Sequence, residues 1–243
     1  MLIGVIVPYV TLSDETAHAE PRFYAGAFVG LGNFDNQFED VEGFVGYGEN
    51  YQLDYDDSDT HFGALAGIQW QLEGFDIAVE FDLSSLNIST DKVADPVGLD
   101  ETVSSEMDGF ASVRTQVAIP LTERFSVHAA FGLAVTEIQN EFVDLDWYWI
   151  DEAAGIAEQR FDPDDSFSDD SVEWGMLVSA GAEFDYSEQW TFRLDVTRVD
   201  FGSQDYWVNT EGFTNKSGVF VGRKLYTVDN ELILTRFALL RKF

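Results

Sequence analysis

Apolar and polar residues alternate with a period of two along much of this chain. Between Ile77 and Leu83, every second residue is large and apolar, and the residues between them are acidic or small. A period of two places one set of side chains on each face of a β-strand. The pattern predicts eight strands, at about residues 22–32, 61–72, 74–85, 110–121, 125–136, 173–186, 189–201 and 231–243.

The connections between these strands are of two kinds. Those after the second, fourth and sixth strands are tiny, whereas the other four span about residues 33–60, 86–109, 137–172 and 202–230. Short turns at one rim and long loops at the other are typical of bacterial outer-membrane barrels. In a compact soluble domain, four irregular loops of this size would contradict the strand assignment. We therefore predict an all-β fold, an eight-stranded antiparallel up-and-down transmembrane β-barrel with short periplasmic turns and long extracellular loops.

The N-terminus has the features of an export signal. An apolar run from Leu2 to Leu12 is followed by a polar stretch and the triplet Ala17-His18-Ala19. Such a run before an A-x-A triplet is typical of a secretory signal peptide, although Pro8 interrupts it and no cation precedes it. We predict a signal peptide over residues 1–19 and the barrel over residues 20–243. Because an even number of strands returns the chain to its starting side, both termini are expected in the periplasm.

The composition excludes several classes of partner and chemistry. With 13 Lys and Arg against 45 Asp and Glu, the formal net charge is −32. Nucleic acid is excluded as a partner, because phosphate binding needs clustered cations. The absence of cysteine excludes disulfides, thiolate zinc sites and a catalytic thiol.

The acids are concentrated in the long connections, and two interpretations stay open. One is simple solvation, and the other is an anionic surface that loosely holds Ca²⁺ or another divalent cation. The candidate for a weak cation site is a run in the third long connection, which lacks the spacing and glycine of an EF-hand. It consists of Asp162, Asp164, Asp165, Asp169 and Asp170. No other cofactor is expected.

Charged residues recur in the middle of strands, on the face opposite the apolar set. The charged or polar positions of this set are Glu80, Asp82, Arg114, Gln116, Glu183, Arg193, Asp195 and Arg236. A charge inside a narrow barrel is costly unless it is paired, and both signs are present. Eight strands leave an interior that side chains just fill. We predict a lumen charge network that largely plugs the barrel, with Arg193 between Glu80 and Glu183.

No catalytic constellation is visible in the sequence. Outside the predicted signal peptide the histidines are His61 and His128, which the strand assignment places near opposite rims. A nucleophile, base and orienting acid must lie within hydrogen-bond reach. We therefore predict that the protein is not an enzyme.

Several strand segments resemble one family of bacterial barrels. They are Phe23-Tyr24-Ala25-Gly26-Ala27-Phe28-Val29-Gly30, Gly67-Ile68-Gln69-Trp70, Val79-Glu80-Phe81-Asp82, Ile119-Pro120-Leu121-Thr122, Gly181-Ala182-Glu183-Phe184 and Asp200-Phe201-Gly202. In order and spacing, the chain resembles the transmembrane barrel of outer membrane protein A and the related opacity-type porin-like barrels. By position, the resemblance implies that Glu80, Glu183 and Arg193 belong to a lumen network. Gln116 stands where the family has a lysine, and Arg114 is its candidate substitute.

The C-terminus extends this resemblance. Phe237 and Leu239 lie on the same strand face as the terminal Phe243. Similar barrels end in a phenylalanine that the outer-membrane assembly machinery reads, so the resemblance implies an assembly signal at Phe243, Phe237 and Leu239. Arg241 occupies the place of the family's second aromatic residue.

The resemblance and the pattern together predict a structural or surface-interaction barrel in the outer membrane of a Gram-negative bacterium. Its expected partners are outer-membrane lipid, the assembly machinery and an extracellular ligand at the acidic loops. Three alternatives stay open: a small passive porin, a lipid-modifying barrel enzyme with His61 as its sole candidate catalytic residue, and a secreted soluble ligand-binding barrel.

Overall fold

The fold consists of antiparallel strands. The computed structural model describes residues 20–41, 51–94, 101–151, 153–161, 165–215 and 217–243. The strands are β1 (Arg22–Asp40), β2 (Tyr51–Gln71), β3 (Asp76–Val93), β4 (Glu101–Pro120), β5 (Phe125–Asp151), β6 (Ile156–Phe161), β7 (Phe167–Asp185), β8 (Trp190–Thr214) and β9 (Phe220–Lys242). Over these ranges, no helix is long and apolar enough to cross a membrane. The predicted signal segment, residues 1–19, lies outside the described residues.

Eight of the strands form a closed ring. Each pairs with its neighbour in the chain, β5 pairs with β7, and β9 closes the ring by pairing with β1. The short β6 pairs with the end of β5 and stands outside the ring. The predicted eight-stranded antiparallel barrel is therefore confirmed.

The strands are longer than the alternation predicted, always at the end with the long connections. β5 continues from its predicted end near residue 136 to Asp151, and β8 continues from residue 201 to Thr214. Much of each connection assigned to a loop is thus the arm of a β-hairpin. We call the part of the barrel between the short turns and the level of Leu31 on β1 the turn half, and the remainder the distal half.

The two halves have opposite surfaces. In the turn half the outward side chains are apolar and exposed, as at Leu31, Phe62, Phe131, Val178 and Phe237, while the charged residues point inward. In the distal half the outward residues are mainly polar or acidic, and the interior is apolar. The first arrangement suits a hydrocarbon surrounding and the second suits water.

The distal half is split into two sheets. β2 pairs with β3 only from the pair Phe62–Ser85 to the short turn. β7 pairs with β8 only from the pair Met176–Asp200 to the short turn. Beyond those pairs, β2, β1, β9 and β8 form one sheet, and β3, β4, β5 and β7 form the other. Their inward side chains pack against each other as in a β-sandwich. We call the two gaps the β2–β3 seam and the β7–β8 seam.

Two bulges mark the junction between the halves. On β4, the inward positions are even-numbered from Phe110 toward the turns and odd-numbered from Met107 outward, and Gly109 between them has a φ of 137°. On β8, the parity changes at Gly202, which has a φ of 73°. A bulge inserts an extra residue into one strand and so exchanges its inner and outer positions.

Candidate functional site in the barrel interior

The predicted lumen residues come together inside the turn half. Each has at most 7% of its surface exposed. They are Glu80 and Asp82 of β3, Arg114 and Gln116 of β4, Glu183 of β7, Arg193 and Asp195 of β8, and Arg236 of β9. Their four carboxylates and three guanidinium groups have nearly balanced charge.

Glu80 lies at the centre of the first group of contacts. Its carboxylate accepts hydrogen bonds from Arg114 Nε (2.7 Å), Arg193 Nη1 (2.5 Å) and the Tyr24 hydroxyl (3.0 Å). Arg193 Nε also donates to Glu183 Oε1 over 2.8 Å. Arg193 therefore joins a carboxylate on the neighbouring β7 to one on β3, across the ring.

A second group is centred on Arg236. Its Nε donates to Asp195 Oδ1 (2.9 Å) and its Nη1 donates to Asp82 Oδ2 (3.2 Å). Arg114 Nη1 lies 3.7 Å from Asp195 Oδ1 and so connects this group to Glu80. Gln116 joins the first group, because its Nε2 donates to Glu183 Oε1 over 3.0 Å. Removing any one guanidinium would leave a buried carboxylate with less compensation.

Two aromatic members of this interior were missed from the sequence. Arg193 lies 5.6 Å from the ring centroid of Tyr24, and Arg236 lies 5.0 Å from that of Phe28, as cation–π pairs. A Cβ added at Gly67 would lie 2.4 Å from the Tyr24 ring, and one at Gly63 would lie 2.3 Å from the Phe28 ring. The signal for these rings was the pair of glycines on the neighbouring strand, four residues apart.

The two histidines are buried and lie apart. His61 Nδ1 is 3.1 Å from Ser84 Oγ, and His128 Nδ1 is 3.9 Å from Glu183 Oε1. Within the described part of the chain, no carboxylate hydrogen-bonds to His61, so its contact with Ser84 lacks the orienting acid of a triad. Neither histidine faces the outer surface where a lipid could reach it.

Above the charge network, the lumen is filled by an apolar layer. Phe34, Leu86, Met107, Ile138 and Leu232 are almost completely buried there. The complete layer is Phe34, Leu86, Ile88, Met107, Phe110, Ala134, Ile138, Leu177, Val199, Phe201, Leu232 and Leu234. This layer lies at the junction of the two halves and contains inward residues of both bulged strands.

Farther out, an aromatic layer joins the two distal sheets. Phe142 lies 5.1 Å from Phe38 and 4.8 Å from Tyr226, measured between ring centroids. Phe167 stacks on Tyr206 at 4.3 Å, directly across the β7–β8 seam. Between the two layers, Asn140 accepts a hydrogen bond from Ser105 (2.6 Å) and donates one to the Tyr206 hydroxyl (3.0 Å).

The residues of the predicted assembly signal lie on the outer surface at the turn end. Phe237 and Leu239 point outward and are exposed, and Phe243 has 71% of its surface exposed. The Phe243 amide donates to the Phe23 carbonyl over 2.9 Å, which fixes the last residue against β1. Arg241 lies over the rings of Trp190 and Phe243.

The predicted cation run is only partly described. Asp162 and Asp164 lie outside the described residues, and Asp165 Oδ1 is 3.6 Å from Lys224 Nζ. Asp169 and Asp170 are exposed on β7. Among the residues that the structure describes, no three acidic or histidine side chains are placed to hold a metal ion. Loose cation binding therefore stays a prediction.

Comparison with known proteins identifies the kind of barrel. The model of a family described as "Outer membrane protein beta-barrel domain" matches residues 6–219. The 31 kDa outer-membrane immunogenic proteins of Brucella melitensis and Brucella suis are each 25% identical over 144 residues, 59% of this chain. The chain spans about half the length of these relatives, 54%.

Several solved structures of bacterial outer-membrane proteins are similar to this chain at low sequence identity. OprG of Pseudomonas aeruginosa is 16% identical with a TM-score of 0.44, and the alignment covers 90% of this chain and 96% of OprG. The outer membrane protease OmpT of Escherichia coli is 9% identical with a TM-score of 0.45, covering 96% and 99%. Ail of Yersinia pestis is 9% identical with a TM-score of 0.36, covering 90% and 98%.

Proposed function

Since the chain belongs to the outer membrane protein beta-barrel domain family, we propose that it is a structural or surface-interaction barrel of the Gram-negative outer membrane with a closed lumen. The observation that carries this proposal is the filling of the interior at three successive levels. These levels are the charge network, the apolar layer and the aromatic layer.

Each level obstructs ions for a different physical reason. The charge network fills its level with paired, hydrogen-bonded side chains. The apolar layer offers no ligand to replace an ion's hydration shell, so crossing it would cost the ion much of its solvation energy. The aromatic layer repeats that obstacle with stacked rings. A porin of this size is therefore disfavoured.

The surface chemistry supports one orientation. The apolar outer face of the turn half suits outer-membrane lipid, whereas the acidic wall of the distal half suits water. We place the distal half in the extracellular space and the short turns and both ends of the barrel in the periplasm. An extracellular partner would then meet the distal half, and the assembly machinery would read Phe243.

A lipid-modifying enzyme and a secreted soluble barrel both have less support. The enzyme would need a catalytic residue at the membrane rim, but the candidate His61 is fully buried in the lumen. The soluble barrel would expose the apolar outer band of the turn half to water, including Phe62, Phe131 and Met176.

Three measurements test the proposal together. An unheated detergent sample should migrate differently from a boiled one, and the wild-type protein in a planar bilayer should show little or only brief conductance. Protease added to intact cells should cut only in the distal half. A large, steady conductance would favour the porin, and recovery of folded protein from the soluble periplasm would contradict the membrane assignment.

A further inference from the structure

The β7–β8 seam contains two unpaired strand edges. Residues 167–175 of β7 bond to β5 on one side, and residues 202–209 of β8 bond to β9 on one side. No ladder joins these two segments, all of whose residues are described. Each edge therefore presents backbone N–H and C=O groups that can pair with another strand.

The seam is open to solvent on its outer side at residues 168–170, while the stack of Phe167 on Tyr206 closes its inner side. Ser168, Asp169 and Asp170 are all exposed, although consecutive residues of a strand point to opposite faces. Both faces of β7 are thus accessible at this point. Tyr206 and Val208 of β8 cover the core behind the seam, so an occupant would meet the edges and not the apolar interior.

Acidic side chains lie along both edges of the seam, beside the exposed apolar side chains of Val172, Trp174 and Trp207. Asp169, Asp170 and Glu173 lie on the β7 side, and Asp205 lies on the β8 side. Such charges discourage pairing with a second copy of this acidic chain. They would, however, attract a strand of opposite charge, because complementary charges favour association.

The β2–β3 seam shows how a lysine meets such an edge. Lys92 of β3 extends across that seam, and its Nζ donates to the backbone carbonyl oxygen of Asp54 on β2 over 2.6 Å. The described residues 167–175 and 202–209 contain no lysine or arginine. The two edges of the β7–β8 seam thus bear acids and no cation of their own, although Lys224 of β9 lies 3.6 Å from Asp165, just before β7.

We infer that the β7–β8 seam binds an extended, lysine- or arginine-bearing peptide segment by strand addition. The backbone of the segment pairs with the free edge of β7, and cations at alternate positions meet Asp169 and Glu173. This inference deepens the proposed surface-interaction function, because it identifies the chemical class of the partner. It does not depend on the lumen being closed, so the conductance experiment cannot decide it.

A pair of synthetic peptides separates strand addition from general attraction to an acidic protein. The probe is a seven-residue peptide of alternating lysine and valine, and its control is the same peptide with alternate backbone nitrogens methylated. Both have the same charge, but methylation removes the donors that one edge of a strand needs. With the folded protein in detergent at physiological salt, we expect the probe to bind at least tenfold more tightly than the methylated control. Equal affinities would overturn the inference.

The position of the peptide is tested separately. Because the chain contains no cysteine, Ser171→Cys on the β7 edge and Gln139→Cys on the neighbouring β5 each take one spin label. The bound probe should broaden the label spectrum at position 171 and leave that at position 139 unchanged. The double variant Asp169→Asn/Glu173→Gln should bind the probe several-fold more weakly. Its unheated gel migration should show that it is folded. Equal broadening at the two positions, or unchanged affinity in the double variant, would also overturn the inference.

Discussion

Arg193 Nη1 and Glu80 Oε2 lie 2.5 Å apart in the lumen, although 113 residues separate them in the chain. The pair joins β8 to β3 across the ring and not along a neighbouring ladder. It therefore connects two parts of the wall that backbone hydrogen bonds do not connect directly.

We predict that Arg193→Ala lowers stability without opening the barrel. Glu80 keeps Arg114 and Glu183 keeps Gln116, but both lose a buried guanidinium partner. Breaking such a pair typically costs ~3–5 kcal/mol, and lumen water would reduce that cost. Thermal unfolding followed by gel migration should show the loss, while bilayer conductance should stay low because the apolar and aromatic layers remain. Arg124→Ala, on an exposed turn, is the control. A conducting Arg193→Ala variant would show that the charge network is the only barrier.

The bulge at Gly109 should tolerate no side chain. Its φ of 137° is unfavourable for other residues, and an added Cβ would lie 2.4 Å from the Ser84 carbonyl oxygen. We expect Gly109→Ala to destabilise the barrel by about 1–3 kcal/mol, as is typical for strained backbone positions. Gly222→Ala, where nothing lies within 4 Å of the added Cβ, should be close to neutral. Equal unfolding midpoints for the two variants in urea would contradict this interpretation.

The bulges also explain how much of the fold the sequence could predict. The alternation located all eight barrel strands, but the predicted strands that meet the junction begin at residue 110 and end at residue 201. At those points the bulges at Gly109 and Gly202 exchange the inner and outer parity, so a strict period of two breaks. Beyond Leu31 on β1, acids such as Asp35 move to the outer face. An outer face rich in acids has the composition of a solvated loop, even where the backbone continues as a strand.

The charged residues of the lumen could be predicted from the alternation of the strands. A charge at mid-strand on the face opposite an apolar set has one reasonable location, the lumen. Tyr24 was harder, because an aromatic residue near a strand end also suits a membrane-interface girdle. The strand register, which places Gly67 opposite Tyr24 and leaves room for its ring in the lumen, is not evident from the sequence.

The aromatic layer should stabilise the distal half and have little effect on the stability of the turn half. Phe142→Ala removes ring contacts with Phe38 and Tyr226, and burial of this kind is typically worth about 3–5 kcal/mol. Because the distal sheets are joined across the seams by side chains, we expect faster proteolysis within the distal half and an unchanged heat-modifiable band from the turn half. Phe131→Ala, outward on the same strand, should leave distal proteolysis unchanged. Loss of the heat-modifiable band in Phe142→Ala would mean that the halves unfold together.

Acid should stabilise the distal wall through Asp35. Burial raises the pKa of Asp35 and the carboxylates of Asp56 and Glu231 raise it further, while a hydrogen bond from Asn33 opposes this. A raised folded-state pKa favours the folded protein at low pH. That stability is lost as pH rises from the unfolded value of about 3.9 through the folded pKa. Asp35→Asn should therefore flatten the fall of the melting temperature across this window. An unchanged pH profile would refute the prediction, and added salt should flatten the wild-type profile as well.

Deletion of Phe243 should affect assembly more than the finished barrel. The residue is exposed, and its amide makes one hydrogen bond to Phe23, so little packing is lost with it. We expect a lower yield of folded protein in cells but nearly normal refolding in detergent. Substituting Lys242 with Ala, which removes an ion pair with Asp185 but keeps the terminal ring, is the control. A normal cellular yield after the deletion would rule out Phe243 as the assembly signal.

The division of the distal half into two sheets has a consequence for length variation among related chains. In the distal half, each hairpin arm pairs only within its own sheet. The length of an arm is therefore independent of the closure of the ring. Adding or deleting residues in matched pairs on both arms preserves which side chains face the core. A single inserted residue would exchange the inward and outward side chains of that arm. It would therefore require a compensating bulge like those at Gly109 and Gly202. Homologues should therefore differ most freely in hairpin height, in steps of two, with little change nearer the turns.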